Sequence, residues 1–259
     1  MRSCEITGGN AFYAAGVYVH GDYSVGEFYN VSFTDLSAAM STALYAQGST
    51  SEESGILIKF AGCQFLRNLA VAANIVTIGW DFVRAEISDC FFANNDGCTL
   101  SLWFATDSQI ARCVFRENTG SPNSWPGYGS AVVIHPLGSK VVSITDSRFE
   151  RNTGDAKLSG GALTLSQGGV LMNNVSFLAN TALGFDGGAP FEVRAGAKVI
   201  ATNCFALANV GNQFGAGFFV SSGELTIINS TCQSYTQDLH AGVKNRDLSH
   251  FCLLSAKNM

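Results

Sequence analysis

The sequence predicts an all-β fold, a single-stranded parallel β-helix of about nine coils with three short strands in each. Three observations carry that expectation. The first is a seven-residue unit that recurs along the chain. Residues 62–68 read GCQFLRN, 89–95 DCFFANN, 112–118 RCVFREN, 146–152 DSRFERN and 203–209 NCFALAN. The stretch 160–180, GGALTLSQGGVLMNNVSFLAN, ends on another copy, and weaker copies at 3–10, 30–36 and 229–235 bring the number to nine. The second is the spacing. The column Ile6, Phe33, Phe65, Phe92, Phe115, Phe149, Phe177, Ala206, Cys232 advances by 23 to 34 residues per step, the period of a solenoid whose coils stack on their neighbours. The third is composition. Only 14% of the 259 residues are charged, while Gly numbers 28 and Phe 19, which fits strands and tight turns rather than helical repeats.

The first strand of each coil alternates, with Ile58 and Phe60, Ala85 and Ile87, Val142 and Ile144, and Val199 and Ala201 on one face. A period of two marks a strand with one buried side. The three-residue step from Ile87 to Cys90 breaks that phase, so the chain must bend there. Asp89, Asp146, Asn174, Asn203 and Asn229 stand at this corner, as turn chemistry prefers. The second strand carries Cys63 and Phe65, Cys90 and Phe92, and their counterparts. Asn68, Asn95, Asn118, Asn152, Asn180 and Asn209 form the second corner. Asn tolerates a left-handed backbone, and stacked coil on coil these side chains form an amide ladder. A variable loop follows, then a third strand at 131–133, 161–163, 188–190 and 215–217. Glu192 between Phe191 and Val193 sets its parity: Ala189, Phe191 and Val193 face in.

Eight cysteines would suit a secreted disulfide framework. Five of them, Cys4, Cys63, Cys90, Cys113 and Cys204, share one repeat position that elsewhere holds Val31, Ser147, Val175 and Ser230. A site that exchanges Cys with Val and Ser is a small core site, so these thiols are expected to be buried and reduced. Strand spacing alone does not forbid a bridge among Cys63, Cys90 and Cys113, which fall on consecutive coils. No Cys-x-x-Cys spacing and no calcium-type acid cluster occurs, so no metal or other cofactor is expected.

Residues 1–236 read as the β-helix, beginning within a coil because 14–20 (AAGVYVH) match a third strand. Residues 237–259 leave the repeat. They are expected to form a C-terminal tail that caps the last coil, with 250–254 (HFCLL) over it, since a solenoid end exposes core and unpaired strand. No signal peptide is legible, and no apolar run reaches the ~18–20 residues that span a bilayer. A net charge of −5 without a basic stripe argues against nucleic acid.

Phe-x-x-Asn is complete at Phe65, Phe92, Phe115, Phe149 and Phe177, and Gly-Gly-Ala opens the coils at Gly160 and Gly187. With these motifs the chain resembles the repeats of chlamydial polymorphic outer membrane proteins and, more broadly, the right-handed parallel β-helix, or pectin-lyase-like, superfamily. The resemblance covers nearly the whole chain. It implies a secreted or cell-surface location. The bacterial family adds a membrane barrel after its passenger, and nothing in this chain corresponds to one.

Pectin-lyase-like enzymes place acids, Arg or Lys on one outer face of adjacent coils. The nearest match here is the corner column Asp89, Arg112 and Asp146, with the two Asp roughly two strand spacings, about 9–10 Å, apart. That is near the upper end for an inverting carboxylate pair. Arg112 between two acids keeps both ionised, however, whereas a general acid needs a raised pKa. Structural pairing is the better reading, as for Arg116 over Glu150 and Glu117 over Arg151. His20 and His135 follow third strands four coils apart, roughly 19 Å, too far to share a metal or substrate. The loop 119–128 (TGSPNSWPGY) is the longest insertion at the Asn corner. Its Asn123, Trp125 and Tyr128 are the residues the repeat explains least, and stiff aromatics there suit a sugar ring or a protein partner. Trp103, in a strand, is expected to be packed.

These readings lead to a noncatalytic extracellular or cell-surface repeat protein, adhesin-like or envelope-associated, whose outer loops bind glycan or protein partners. The alternative is a carbohydrate-active enzyme of the pectin-lyase-like superfamily, a polysaccharide lyase or glycoside hydrolase, or its degenerate polysaccharide-binding relative.

Overall fold

A computed structural model describes residues 1–12, 14–39, 41–48, 55–79, 82–120, 131–154, 161–183, 190–211, 217–220, 222–233 and 254–256. Every regular element among them is a strand, and every strand pairing is parallel. Three-residue strands, one from each repeat, form a nine-stranded sheet. Its register joins Ile6, Phe33, Phe65, Phe92, Phe115, Phe149, Phe177, Ala206 and Cys232 in one line, the column the repeat predicts. From Phe33 to Phe177 the rings stack with centroids 4.8, 4.5, 4.6, 4.9 and 5.0 Å apart. All are buried, and each burial is worth roughly 1.5–3 kcal/mol.

The nine repeats make seven complete coils, from Val25–Tyr29 to Phe218–Val220, with a partial turn before and after. Five of these seven coils also have one strand more than the three predicted. Two residues after the second corner pair again, as in Ser37–Ala38, Thr119–Gly120, Thr153–Gly154, Thr181–Ala182 and Val210–Gly211. In Leu69–Gly79 and Asp96–Ala105 this piece fuses with the third strand. The Asn ladder explains it. The ladder pins the chain at strand spacing, so the residues leaving it stay close enough to keep pairing.

The first corner turns where expected, through a left-handed backbone with φ of 55° at Asp89, 50° at Asp146 and 55° at Asn174; Arg112 takes it too, at 53°. The second corner corrects the sequence reading. Its left-handed residue is the one before the Asn: Arg67, Asn94, Glu117, Arg151, Ala179 and Ala208 have φ of 52–55°. The Asn itself turns its side chain inward and is buried. Such a backbone costs a non-glycine residue roughly 1–2 kcal/mol, which the ladder offsets. The Asn95 Nδ2 group donates to Asn118 Oδ1 at 2.9 Å and to Phe65 O at 2.9 Å. Asn68 repeats the pattern toward Asn95, as do Asn118, Asn152 and Asn180 toward their successors.

The third strands keep the expected parity. Phe191, Val193, Val132, Ile134, Leu163 and Leu165 line the core, and Glu192 points out; Ala189 lies outside the described residues. Cys63, Cys90, Cys113 and Cys204 are buried, free and directed at main-chain carbonyls, for example Cys90 Sγ to Ser88 O at 3.1 Å. Of the tail, Leu254–Ala256 adds a strand to Phe218–Val220; residues 250–253 lie outside the described residues. No helix of the described residues is long and apolar enough to cross a membrane.

Candidate functional site

The charged corner pairs its charges with neighbouring side chains. Arg112 donates both Nε and an Nη to the two oxygens of Asp89, each at 2.7 Å. That bond holds the Asp89 carboxyl below its ordinary range, the wrong direction for a general acid. Asp146 instead accepts from Asn174 Nδ2 at 2.8 Å, because the coil after it offers an amide. Arg112 therefore pairs with one acid, not two. Arg116 and Arg151 pair with Glu150 and Glu117 as expected, at 3.0 and 2.8 Å. Burial raises the Glu150 pKa, but the Arg116 hydrogen bond and the charges of Arg148, Arg116 and Arg151 outweigh it, and the net shift is downward.

Asn123, Trp125 and Tyr128 lie outside the described residues. Trp103 is packed, stacked on His135 with centroids 4.7 Å apart.

The outer face of the third-strand sheet carries what the sequence reading missed. Side chains alternate there, so each strand offers two outward positions. One column runs Tyr18, Tyr45, Thr77, Ser101, Val133, Thr164, Glu192. The other joins His20 to Gln47, and Trp103 to His135 and onward toward Ser166 and Arg194. From Thr77 to Glu192 the first column is buried although it points away from the core. His135 Nδ1 and Ser166 Oγ are 2.8 Å apart, and burial lowers the His135 pKa. Glu192 is fully buried and its carboxyl is pushed up to about 7 by that burial, which outweighs the ion pair with Arg194 Nε. Ser101 Oγ, also buried, has no hydrogen-bond partner among the described residues. Glu192 is the one carboxylate among the described residues of these two columns.

At the other end the same columns open to solvent. Val17 and Val19 pack on the core, which turns Tyr18 and His20 outward. Tyr18 lies face to face with Tyr45, centroids 5.4 Å apart and rings 8° from parallel. His20 lies beside Tyr18 at 5.9 Å. Tyr18 is 54% exposed, and its hydroxyl donates to Gln47 Oε1 at 3.4 Å. Ala14, Tyr18, Tyr45 and Gln47 border a cleft of about 470 Å³, within the ~300–1,000 Å³ of small-molecule sites. Aromatic faces beside an amide and hydroxyls suit a pyranose, whose C–H face is apolar and whose rim is hydroxyl. The signal was in the sequence: Tyr18 and Tyr45 are separated by the same offset as Ile6 and Phe33. Among the described residues no three His, Cys, Asp or Glu side chains converge to hold a metal.

No protein-family model matches the chain, and no curated protein sequence matches it. Among solved structures it is similar to the catalytic domain of a GH87 alpha-1,3-glucanase in complex with nigerose, at 10% identity and a TM-score of 0.39. A variant of that domain with the same ligand gives 10% and 0.38. Each likeness covers 96% of this chain and 64% of the other, so this chain spans less than two-thirds of those neighbours. At such TM-scores the likeness carries no argument about a site, and the β-helix rests on the strand registers.

Proposed function

We propose that the chain is a noncatalytic β-helix repeat protein, extracellular or on a cell surface, that binds glycan on the open end of its third-strand sheet. The carrying observation is the Tyr18–Tyr45 stack beside His20 and Gln47 at an open cleft. A pre-stacked aromatic pair, exposed at Tyr18 and half-buried at Tyr45, loses little freedom when a sugar covers it, which favours binding. The adhesin-like role, the resemblance to polymorphic outer membrane proteins and a second contact through Asn123, Trp125 and Tyr128 belong to the same proposal. The test is affinity electrophoresis through gels holding neutral or acidic polysaccharides. At least one should retard the native chain, with the retardation lost in the Tyr18→Ala/Tyr45→Ala variant. Equal retardation of both proteins would refute the assignment.

Glu192 supports a second reading, a carbohydrate-active enzyme or its degenerate relative. Its carboxyl, pushed up to about 7, matches what a general acid or base needs near neutral pH. Reducing-end or unsaturated-product release that Glu192→Gln abolishes would establish this reading over the first.

A further inference from the structure

Three thiols stand in line inside the solenoid. The N–H of Phe91 donates to Cys63 O at 2.9 Å and that of Val114 to Cys90 O at 3.0 Å, which sets Cys63, Cys90 and Cys113 in lateral register on consecutive coils. All three are buried and unbridged. Each thiol donates to a main-chain carbonyl, Cys63 Sγ to Phe28 O at 3.3 Å, Cys90 Sγ to Ser88 O at 3.1 Å and Cys113 Sγ to Ala111 O at 3.3 Å. The run ends at Ser147, whose Oγ accepts from the Cys113 N–H at 3.1 Å. Val31, Ser147, Val175 and Ser230 fill the same position in other coils, so packing alone does not demand sulfur three times in succession.

We infer that this stack binds a soft, closed-shell monovalent metal ion of the copper(I) class, held in line between Cys90 and one adjacent thiolate. Spacing selects the occupant. Neighbouring strands stand ~4.8 Å apart, whereas a disulfide wants Cβ atoms about 3.8 Å apart. Closing that gap would pull together coils that the Phe column and the Asn ladder hold at strand spacing. A metal–thiolate bond is about 2.3 Å, so two in line span about 4.6 Å and fit without movement. Tetrahedral zinc needs ligands that converge, and among the described residues none do. Thiolate donors select soft ions. Binding is not a redox step. Two thiols release their protons to solvent and two sulfur–metal bonds form, leaving one net negative charge. The third thiol stays protonated and keeps its main-chain acceptor.

The test titrates the reduced chain anaerobically with copper(I) from a chromophoric chelator, both on the native protein and during refolding. The expected result is one ion per chain. Cys90→Ser should lose it, while Cys63→Ser and Cys113→Ser should each keep one ion, bound at least tenfold more weakly in one of the two. Ser at this position occurs in two other coils, so Cys90→Ser should fold, and its circular dichroism checks this. X-ray absorption should show two sulfur neighbours. Uptake unchanged in Cys90→Ser, uptake no greater than the chelator allows, or a Cys63–Cys90 or Cys90–Cys113 disulfide in the air-exposed protein would each overturn the inference.

Discussion

The side-chain carbonyl of Asn152 accepts two hydrogen bonds from Asn118, one from its backbone N–H at 3.1 Å and one from Nδ2 at 3.0 Å. The Nδ2 of Asn152 donates to Phe115 O and Asn180 Oδ1, each at 2.9 Å. One buried amide thus ties neighbouring coils on both sides. Removing it leaves several buried donors and acceptors unmatched, each at ~1–3 kcal/mol. Asn152→Ala should cost about 3–5 kcal/mol in urea unfolding, a loss that a change in solvent exposure alone would not produce. A cost under about 1 would mean that the ladder is incidental to stability.

Phe149 and Arg151 are two residues apart and should behave oppositely. Phe149→Ala opens a cavity in the ring stack and should cost about 3–5 kcal/mol. Arg151 is about half exposed, and Ala already takes the same left-handed position at Ala179 and Ala208. Arg151→Ala should cost under about 1 kcal/mol. Equal losses would contradict the register.

Glu192 predicts a pH dependence of definite sign. Its folded pKa, about 7, lies above the ordinary 4.5. Between those values the folded chain keeps a proton that the unfolded chain has released. Stability from this group is therefore greatest below about pH 4.5, falls by roughly 3 kcal/mol as pH rises to about 7, and is level above it. Unfolding of native and Glu192→Gln proteins from pH 4 to 8 should show that slope only in the native protein. Glu150, shifted downward, acts in the opposite sense and only in acid, where its stabilisation is lost.

Native Cys63, Cys90, Cys113 and Cys204 should resist a bulky thiol reagent in metal-free buffer and react once urea unfolds the chain. Fast labelling at these positions without denaturant would place the column outside.

The Phe column and the Asn ladder were legible because both depend on local phase: alternation, a three-residue break, then Phe-x-x-Asn. The left-handed residue was misplaced by one position because Asn suits both a left-handed backbone and a buried amide ladder, and sequence alone does not separate the two roles. The outer columns were harder. Glu192 was correctly turned outward by Phe191 and Val193, but an outward residue reads as solvated, and only the packed chain shows it buried. Tyr18 and Tyr45 sit in weak repeat copies, so their contact needed the offset from Ile6 to Phe33 to be carried down the coil. The charged corner was read as pairing, but Asn174 was not foreseen as the partner of Asp146.

Removing Tyr18 and Tyr45 should separate recognition from folding. An aromatic stack on a partner is worth about 0.5–1.5 kcal/mol beyond its burial, so the double Ala variant should bind a retained glycan roughly tenfold or more weakly. Its Tm should fall only slightly, since Tyr18 is exposed and Tyr45 half-buried. Trp125→Ala/Tyr128→Ala should show the same split if the loop is a second contact.

The most direct measurement is an NMR titration of the isotopically labelled chain with the polysaccharide fragment that retards it in gels. The account predicts that the largest shift changes fall on Tyr18, His20, Tyr45 and Gln47, with transfer of saturation from the Tyr rings to the sugar C–H face. Shift changes clustered elsewhere, with these four residues unmoved while the fragment binds, would contradict it.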